Sequence, residues 1–336
     1  MQKILGYFQE RLENSKESME DFTSEKERNL KPMPYRKNAD GKFQYYYKFK
    51  KVKTKIIQKD WLKEHKYKQG KFPPQFFENI EKNLTPVRRG YWAYAIDGDG
   101  HIRKRGKNLE VIISLKDREP IQQLADIYGT SISFIEYPND NWEPTYTTSL
   151  SSKRALHFLR LICPYMTEKR KKATQFINRF DPDYHPPKIP MDFRKHPELI
   201  SLHIGMVVGL FDTEGSVGIT PTEIKQMTKK FGERIYSSLN MWLGFTNTDI
   251  RPLRKIKKIL ETWPFNFNSV LHKYNKGNVK KNGEKHKTSY ELRISQQQHL
   301  LFMKMFSPWI LITRKRDYAD KFERKKQIYE ICNKRT

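Results

Sequence analysis

The sequence predicts an α+β protein that is built from two copies of one structural unit. Two apolar runs end alike, in acids and glycine: "YWAYAIDGDGHI" at 91–102 and "VVGLFDTEGSVGI" at 207–219. After each run come a strand-like segment, an aspartate that can begin a helix, and a proline before a basic helical stretch. Because these landmarks keep their order, they indicate an internal duplication.

The distance between equivalent landmarks grows along the chain. It is 115, 132 and 144 residues for three pairs: Asp97 and Asp212, Asp117 and Asp249, and Pro164 and Pro308. The increase predicts insertions in the second copy, one of them the hairpin-like segment 272–290 with its two glycines.

Four segments follow from this organisation: a basic N-terminal extension at 1–85, a first half-domain at 86–180, a proline-rich linker at 181–200 and a second half-domain at 201–336. In the extension, residues 2–30 are expected to form a helix. The alternation of aromatic and basic residues in 42–57 predicts a strand.

Charge is the strongest signal of the composition. The chain carries 65 Lys and Arg against 38 Asp and Glu, a formal net charge of +27. This balance, with aromatic residues among the basic ones, favours a nucleic-acid partner over an anionic membrane surface. The sequence contains no apolar run of about 18 residues, so it predicts no membrane-spanning helix.

Two cysteines, Cys163 and Cys332, are too few for a four-ligand zinc site or a disulfide framework. The N-terminus lacks the pattern of a signal peptide. We therefore expect an intracellular, reducing compartment (a bacterial or archaeal cytoplasm, or an organelle matrix) and no secretion.

Three interpretations compete for the acid and glycine ends. A calcium-binding EF-hand loop would place Ala95 and Gly106 at positions that require acidic ligands, and it is rejected. The second interpretation is a simple helix end, with Gly100 and Gly215 as caps. It leaves acids at helix C-termini, where the helix dipole repels them.

A shared cation site is the third interpretation. Two such helices lying side by side would bring their terminal acids to one point. Small residues would allow the close approach, namely Gly90, Ala93, Ala95, Gly205 and Gly209. Carboxylates with phosphate oxygens and water suit Mg²⁺, which can activate water against a phosphodiester.

The motifs "WAYAIDGDG" at 92–100 and "VVGLFDTEG" at 207–215 resemble those of the LAGLIDADG homing endonucleases, in their single-chain, two-motif form. The resemblance covers about residues 86–330 and implies two pseudo-symmetric αββαββα half-domains that form a DNA-binding saddle. It implies a monomer that cleaves both strands of a long, asymmetric DNA target in intron or intein homing. Mg²⁺ is the implied cofactor, with Mn²⁺ expected to substitute.

The resemblance also assigns roles to the motif acids. The eighth motif positions, Asp99 and Glu214, are expected to be catalytic and to bind the metal. The sixth positions are expected to be structural, and they are Asp97 and Asp212. Backbone carbonyls are expected to add metal ligands at Gly98 and Thr213.

Basic and polar residues are implied beside these acids, and Lys169, Lys315 and Asn247 among them are expected to be catalytic. Lys169 is the expected basic residue of the first half, and in the second half Lys315 competes with Arg314. Asn247 is the expected polar residue before a helix cap, whereas Leu115 stands at the matching place of the first half. This difference implies that the two halves are not equally equipped.

Candidate DNA contacts lie on the predicted strands: Arg103, Arg105, Lys273 and Lys280. Tyr94 departs from the family pattern, because its motif position usually holds glycine. We expect it to require an adjustment of the helix packing, through Ala93 and Ala95.

Two alternatives remain open on the same fold. The first is a maturase that binds intron RNA and helps it fold, with or without nuclease activity. The second is a DNA-binding regulator that does not cleave. Retention of both motif acids favours a nuclease over the regulator.

Overall fold

The structure is a computed structural model that describes residues 53–58, 72, 75–106, 108–137, 143–190, 195–228, 232–274 and 288–324. Two compact units can be distinguished, residues 1–54 with 135–144, and residues 55–134 with 145–336. The motif helices and the candidate site lie in the second unit. The helix predicted for residues 2–30 lies outside the described residues.

The first half follows the order αββαββα. Its elements are α2 (Pro86–Gly98), β2 (Gly100–Arg105), β3 (Asn108–Leu115), α3 (Arg118–Tyr128), β4 (Ile132–Glu136), β5 (Thr145–Ser151) and α4 (Lys153–Ile162). Strand β1 (Lys53–Gln58) and helix α1 (Phe76–Asn83) precede it, and α5 (Arg170–Ile177) follows. Strand β1 overlaps the end of the segment 42–57 that was predicted as a strand.

The second half repeats this order. Its elements are α6 (Ile200–Glu214), β6 (Gly215–Thr228), β7 (Gly232–Asn247), α7 (Ile250–Glu261), β8 (Ser269–Tyr274), β9 (Ser289–Ile294), α8 (His299–Phe306) and α9 (Thr313–Arg316). Short 3-10 turns occur at Pro197–Leu199, Gln296–Gln298 and Ser307–Trp309. The predicted fold class, α+β with two αββαββα halves, is confirmed.

Each half contains an antiparallel sheet with the same internal order of strands. The first sheet has the order β1-β4-β5-β3-β2 and the second the order β6-β7-β9-β8. One face of each sheet is buried, by Ile102, Val111 and Ile113 in the first half and by Leu243 and Phe245 in the second. Since side chains alternate along a strand, the intervening residues form an outer face.

Helices α2 and α6 pack along each other at backbone distance. Cβ atoms added at Gly90, Gly205 and Gly209 would lie 2.0, 1.9 and 2.2 Å, respectively, from a backbone carbonyl oxygen of the other helix. Ala93 and Ala95 are completely buried as well. The predicted contact of the two motif helices through small residues is therefore present.

Tyr94 does not prevent this approach. Its side chain is completely buried. The Lys255 ammonium of α7 lies 6.0 Å from the centre of its ring. The ring is thus accommodated beside a helix of the other half, while glycines maintain the backbone contact.

Replacing Gly205 by alanine is expected to lower the free energy of unfolding by about 3 kcal/mol, because the added methyl group meets a backbone carbonyl rather than a movable side chain. Helix propensity alone would raise stability by up to about 1 kcal/mol. Urea denaturation of both proteins measures the difference. A variant as stable as the parent would contradict the described helix contact.

Among the described helices, none combines the length and the apolar character needed to cross a bilayer.

Candidate active site at the ends of the motif helices

Asp97 links the end of α2 to the beginning of α5. Its carboxylate accepts hydrogen bonds from the backbone N–H groups of residues 167–169 and, at 2.8 Å, from the Thr167 hydroxyl. These N–H groups precede α5 and have no hydrogen-bond partner within that helix. The carboxylate accepts their hydrogen bonds, and its negative charge interacts favourably with the positive end of the helix dipole. The geometry assigns this completely buried residue a structural contact.

Asp212 has a comparable place in the second half, with fewer hydrogen bonds. Its Oδ2 atom accepts from the Leu311 backbone N–H at 2.9 Å and from the Tyr91 hydroxyl at 3.0 Å. Its Oδ1 atom has no hydrogen-bond partner among the described residues. Burial raises the pKa of Asp212 to about 6, although the charge of Lys315 opposes the rise. The Tyr91 bond joins the two halves directly.

Lys169 and Lys315 occupy equivalent positions below the ends of the motif helices. The Lys169 ammonium donates to the carbonyl oxygens of residues 96, 97 and 98 at 2.7–2.8 Å. The Lys315 ammonium donates to those of residues 211, 212 and 215 at 2.6–2.8 Å. These carbonyls lie at the helix C-termini, where a cation is favourable. The two ammonium groups therefore offset the unfavourable interaction between the motif acids and the helix dipole that the sequence predicted.

The structure distinguishes Lys315 from Arg314. Lys315 is buried, whereas the Arg314 guanidinium is 62% exposed and binds the Asp117 carboxylate through Nε and Nη2 at 2.9 and 3.0 Å. This ion pair also joins the halves, because Asp117 precedes α3. Of the two candidates, Lys315 is the one that reaches the motif helix.

Asp99 and Glu214 lie at the C-terminal ends of α2 and α6, which adjoin. A Cβ added at Gly98 would lie 2.6 Å from Thr213 Oγ1 and 3.3 Å from Glu214 Cγ, so the two helix ends adjoin. Glu214 is half-buried and Asp99 is more exposed.

The electrostatics of these acids reflect their proximity. Burial, followed by the negative charge of Asp99, raises the pKa of Glu214 to about 7. Partial desolvation raises the pKa of Asp99 as well, and the positive charges of Lys169 and Lys315 oppose that rise. Burial in turn lowers the pKa of Lys315 to about 8. The site thus brings two acids together against their repulsion, with two ammonium groups behind them.

A pH dependence of stability follows from Glu214. Its pKa is about 7 in the folded protein and 4.5 as a free side chain, so the folded state binds the extra proton between these values. The free energy of unfolding should therefore fall as pH rises from 4.5 to 7. Because the group is partly solvated, we expect a loss on the order of 1 kcal/mol.

The comparison with Glu214→Gln isolates this effect. Urea denaturation in the presence of EDTA at pH 5 and at pH 8 gives four free energies. The parent should lose more stability than the variant between the two pH values. Equal losses would show that Glu214 titrates normally.

The donor atoms at this point suit a hard divalent cation. Among the described residues, no group of three or more His, Cys, Asp or Glu side chains could hold a metal ion. Two carboxylates are nevertheless a sufficient protein contribution for Mg²⁺, which keeps several waters and binds substrate phosphates. The Gly98 carbonyl, one of the two predicted backbone ligands, already accepts a hydrogen bond from the Lys169 ammonium at 2.8 Å. The role of the Thr213 carbonyl stays a prediction.

Asn247 makes a local contact. It is buried at the end of β7, and its Oδ1 atom accepts from the Asp249 backbone N–H at 2.7 Å. Asp249 in turn caps α7 by accepting from the Arg251 backbone N–H at 2.8 Å. Leu115, at the matching place in the first half, is buried among apolar residues. The predicted difference between the halves is therefore present at this position.

The candidate DNA contacts lie on the outer face of the first sheet and at the edge of the second. Arg103 and Arg105 both bind Glu110 of β3, with Nε–Oε2 and Nη1–Oε1 distances of 2.7 and 3.5 Å. Lys273 is exposed on β8. Lys280 lies outside the described residues.

Two residues on these outer faces were missed from the sequence. Glu110 was missed because it lies within the apolar segment "LEVIISL", and Trp242 because "NMWLGF" gives an unbroken apolar pattern. Only the strand register shows that both point away from the core.

Comparison with known proteins finds one family model that matches the second half. The family model for LAGLIDADG endonucleases matches residues 207–324. No curated protein matches the sequence. The matched segment begins within the second motif helix, at the motif itself, and contains Glu214, Asn247 and Lys315.

Several solved structures are similar to the chain. The meganuclease I-AabMI bound to uncleaved DNA shares 13% identity, with a TM-score of 0.43, over 70% of this chain and 92% of that one. I-CpaMI bound to uncleaved DNA shares 11%, with a TM-score of 0.42, over 73% and 92%. I-WcaI bound to its DNA recognition sequence shares 14%, with a TM-score of 0.37, over 75% and 95%. The family match over residues 207–324 agrees with the resemblance to the LAGLIDADG endonucleases that the second motif carries.

Proposed function

We propose that the protein is a site-specific, divalent-cation-dependent DNA endonuclease of intron or intein homing type. The observation that carries the proposal is that each half places one acid, Asp99 or Glu214, at one of two adjoining helix ends. The family match supports an endonuclease. The charge of +27 supports a polyanionic substrate.

Asp99 and Glu214 are the residues that would hold the cation. Burial, and after it the charge of Asp99, raises the pKa of Glu214, and a bound divalent cation would offset the second of these effects. Bound there, Mg²⁺ would supply an activated water and neutralise charge on the phosphodiester. Since each half contributes one carboxylate, both strands of the substrate depend on both residues.

Lys169 and Lys315 act on this pair as positioning residues. An ammonium group has three N–H donors, and each of these lysines has three backbone carbonyl partners. They hold the helix ends in place and lower the pKa of both acids. Their charges therefore favour the ionised form of both acids, against the rise in pKa that burial causes.

The outer faces of the two sheets form the proposed DNA-binding surface. Both β2 and β6 begin directly after the motif acids, at Gly100 and Gly215, so the sheets extend from the site. Arg103 and Arg105 supply donors for base edges or phosphates. Because the two faces carry different side chains, the preferred target is non-palindromic.

The test is a selection from randomised duplex DNA with the full-length chain, followed by cleavage of the recovered sequence, here called the target duplex. We expect one long, non-palindromic target duplex that is cut on both strands with Mg²⁺ or Mn²⁺ and not with EDTA. Its affinity should fall by about 0.9 log units per phosphate contact for each tenfold increase in salt. Absence of an enriched sequence, or cleavage in EDTA, would refute the proposal.

A further inference from the structure

Two residue pairs occupy the same place in the two halves. In β2 and β3 the cross-strand pair is Arg103 with Glu110, and in β6 and β7 it is Gly218 with Trp242. Arg103 lies 115 residues before Gly218 and Glu110 lies 132 residues before Trp242, which are the offsets of the motif and cap aspartates. The pairs are therefore equivalent under the duplication, and both point to the outer face.

In the first half the two residues of this pair, Arg103 and Glu110, form an ion pair. Glu110 is buried, with 4% of its surface exposed, beneath two arginines. It accepts from Arg103 Nε at 2.7 Å, which restrains the plane of the guanidinium, and the Arg103 side chain remains 47% exposed. A planar, aligned fork of donors matches the O6 and N7 acceptors of guanine.

In the second half the equivalent pair, Gly218 and Trp242, is uncharged and apolar. The Trp242 side chain lies over Gly218, since a Cβ added at Gly218 would be 1.9 Å from the Cζ2 atom of the ring. Only glycine provides that space. Trp242 keeps 44% of its surface exposed, a large value for an indole. In the major groove, the apolar group that such a surface can meet is the C5-methyl group of thymine.

We propose that these equivalent positions read different bases: Arg103, aligned by Glu110, reads guanine, and Trp242 reads the methyl group of thymine. The two bases lie at the same number of base pairs from the centre of the target, on opposite sides. The proposal rests on the proposed function. It adds a defined source of target asymmetry, in which one residue pair has changed from ionic to apolar.

The experiment measures affinity for the target duplex and for all its single base-pair substitutions, using the parent, Arg103→Ala and Trp242→Ala. Each variant should lose discrimination at one base pair, a guanine for Arg103 and a thymine for Trp242, at equal distances from the centre. Loss of a good arginine–guanine contact should reduce discrimination roughly tenfold or more.

Modified bases isolate the groups concerned. Replacing that thymine by uracil removes one methyl group and should weaken binding by the parent about fourfold, with no effect on Trp242→Ala. Replacing the guanine by 7-deazaguanine should act on the parent and not on Arg103→Ala. Glu110→Gln should reduce guanine discrimination, because it loosens the alignment of Arg103, while the thymine preference assigned to Trp242 stays unchanged.

Trp263→Ala is the matched control, since Trp263 is exposed at the end of α7 and outside both sheets. It should leave every base preference unchanged. If Trp242→Ala keeps all preferences, or if uracil binds like thymine, this proposal is overturned while the proposed function stands. Failure to recover a target duplex would refute the proposed function and this proposal with it.

Discussion

Asp99→Asn and Glu214→Gln are each expected to reduce cleavage of both strands of the target duplex by at least about 10³-fold. A divalent cation stabilises the transition state by several kcal/mol, and each substitution removes one of its two protein carboxylates. Binding of the target duplex should be retained or strengthened, because a negative charge facing the phosphates is lost. Strand-specific end labels measure both cleavage rates.

Asp320→Asn serves as the control for the loss of one acid, because Asp320 is exposed in the helical residues 318–324 that follow α9. It should cleave like the parent. A variant of Asp99 or Glu214 that nicks one strand at the normal rate would show two independent sites and contradict a shared one.

Lys169→Met and Lys315→Met are expected to lower the free energy of unfolding by about 2–4 kcal/mol each. Methionine fills a similar volume but leaves three backbone carbonyls at a helix end without their charged donor. Desolvation of the buried ammonium offsets part of this loss. Lys315→Met should be the more damaging variant, because Lys315 is the more deeply buried.

The same variants should change the pH dependence of cleavage. Both lysines lower the pKa of Asp99 and of Glu214, so their removal should shift the acidic limb of the profile to higher pH. The exposed Lys258→Met is the control, and it should leave stability and profile unchanged. A Lys variant that loses stability without shifting the profile would limit these lysines to a structural role.

The duplication made much of the fold predictable. Motif, cap aspartate and proline recur in order, so the place of Asp99 in one half identified Glu214 in the other. Close packing of the motif helices followed from Gly90, Gly205 and Gly209, since small residues at helical spacing permit backbone contact. These features depend on short local residue patterns, which the sequence alone provides.

Contacts between distant segments were less predictable. Lys169 lies five residues after Pro164, whereas Lys315 lies seven after Pro308, so spacing could not separate Lys315 from Arg314. The structure distinguishes the two residues, because Lys315 is buried and donates to the carbonyls of α6, whereas Arg314 is exposed and binds Asp117. The accommodation of Tyr94 likewise depends on Lys255, 161 residues further along the chain.

The outer faces of the sheets were the hardest part to predict. Arg103 was identified from its alternation along β2, but its partner Glu110 lies in an apolar strand. Trp242 lies in another such strand, and hydrophobicity alone places it in the core. Cross-strand register decides which face a residue occupies, and a shift of one residue reverses it.

Manganese binding tests the central claim most directly. Mn²⁺ suits carboxylate oxygens and can be counted by electron paramagnetic resonance in the presence of the target duplex. We expect the full-length parent to bind Mn²⁺ with the duplex, and the double variant Asp99→Asn, Glu214→Gln to bind the duplex but not this Mn²⁺. Unchanged Mn²⁺ binding by the double variant would contradict a cation site shared by the two helix ends.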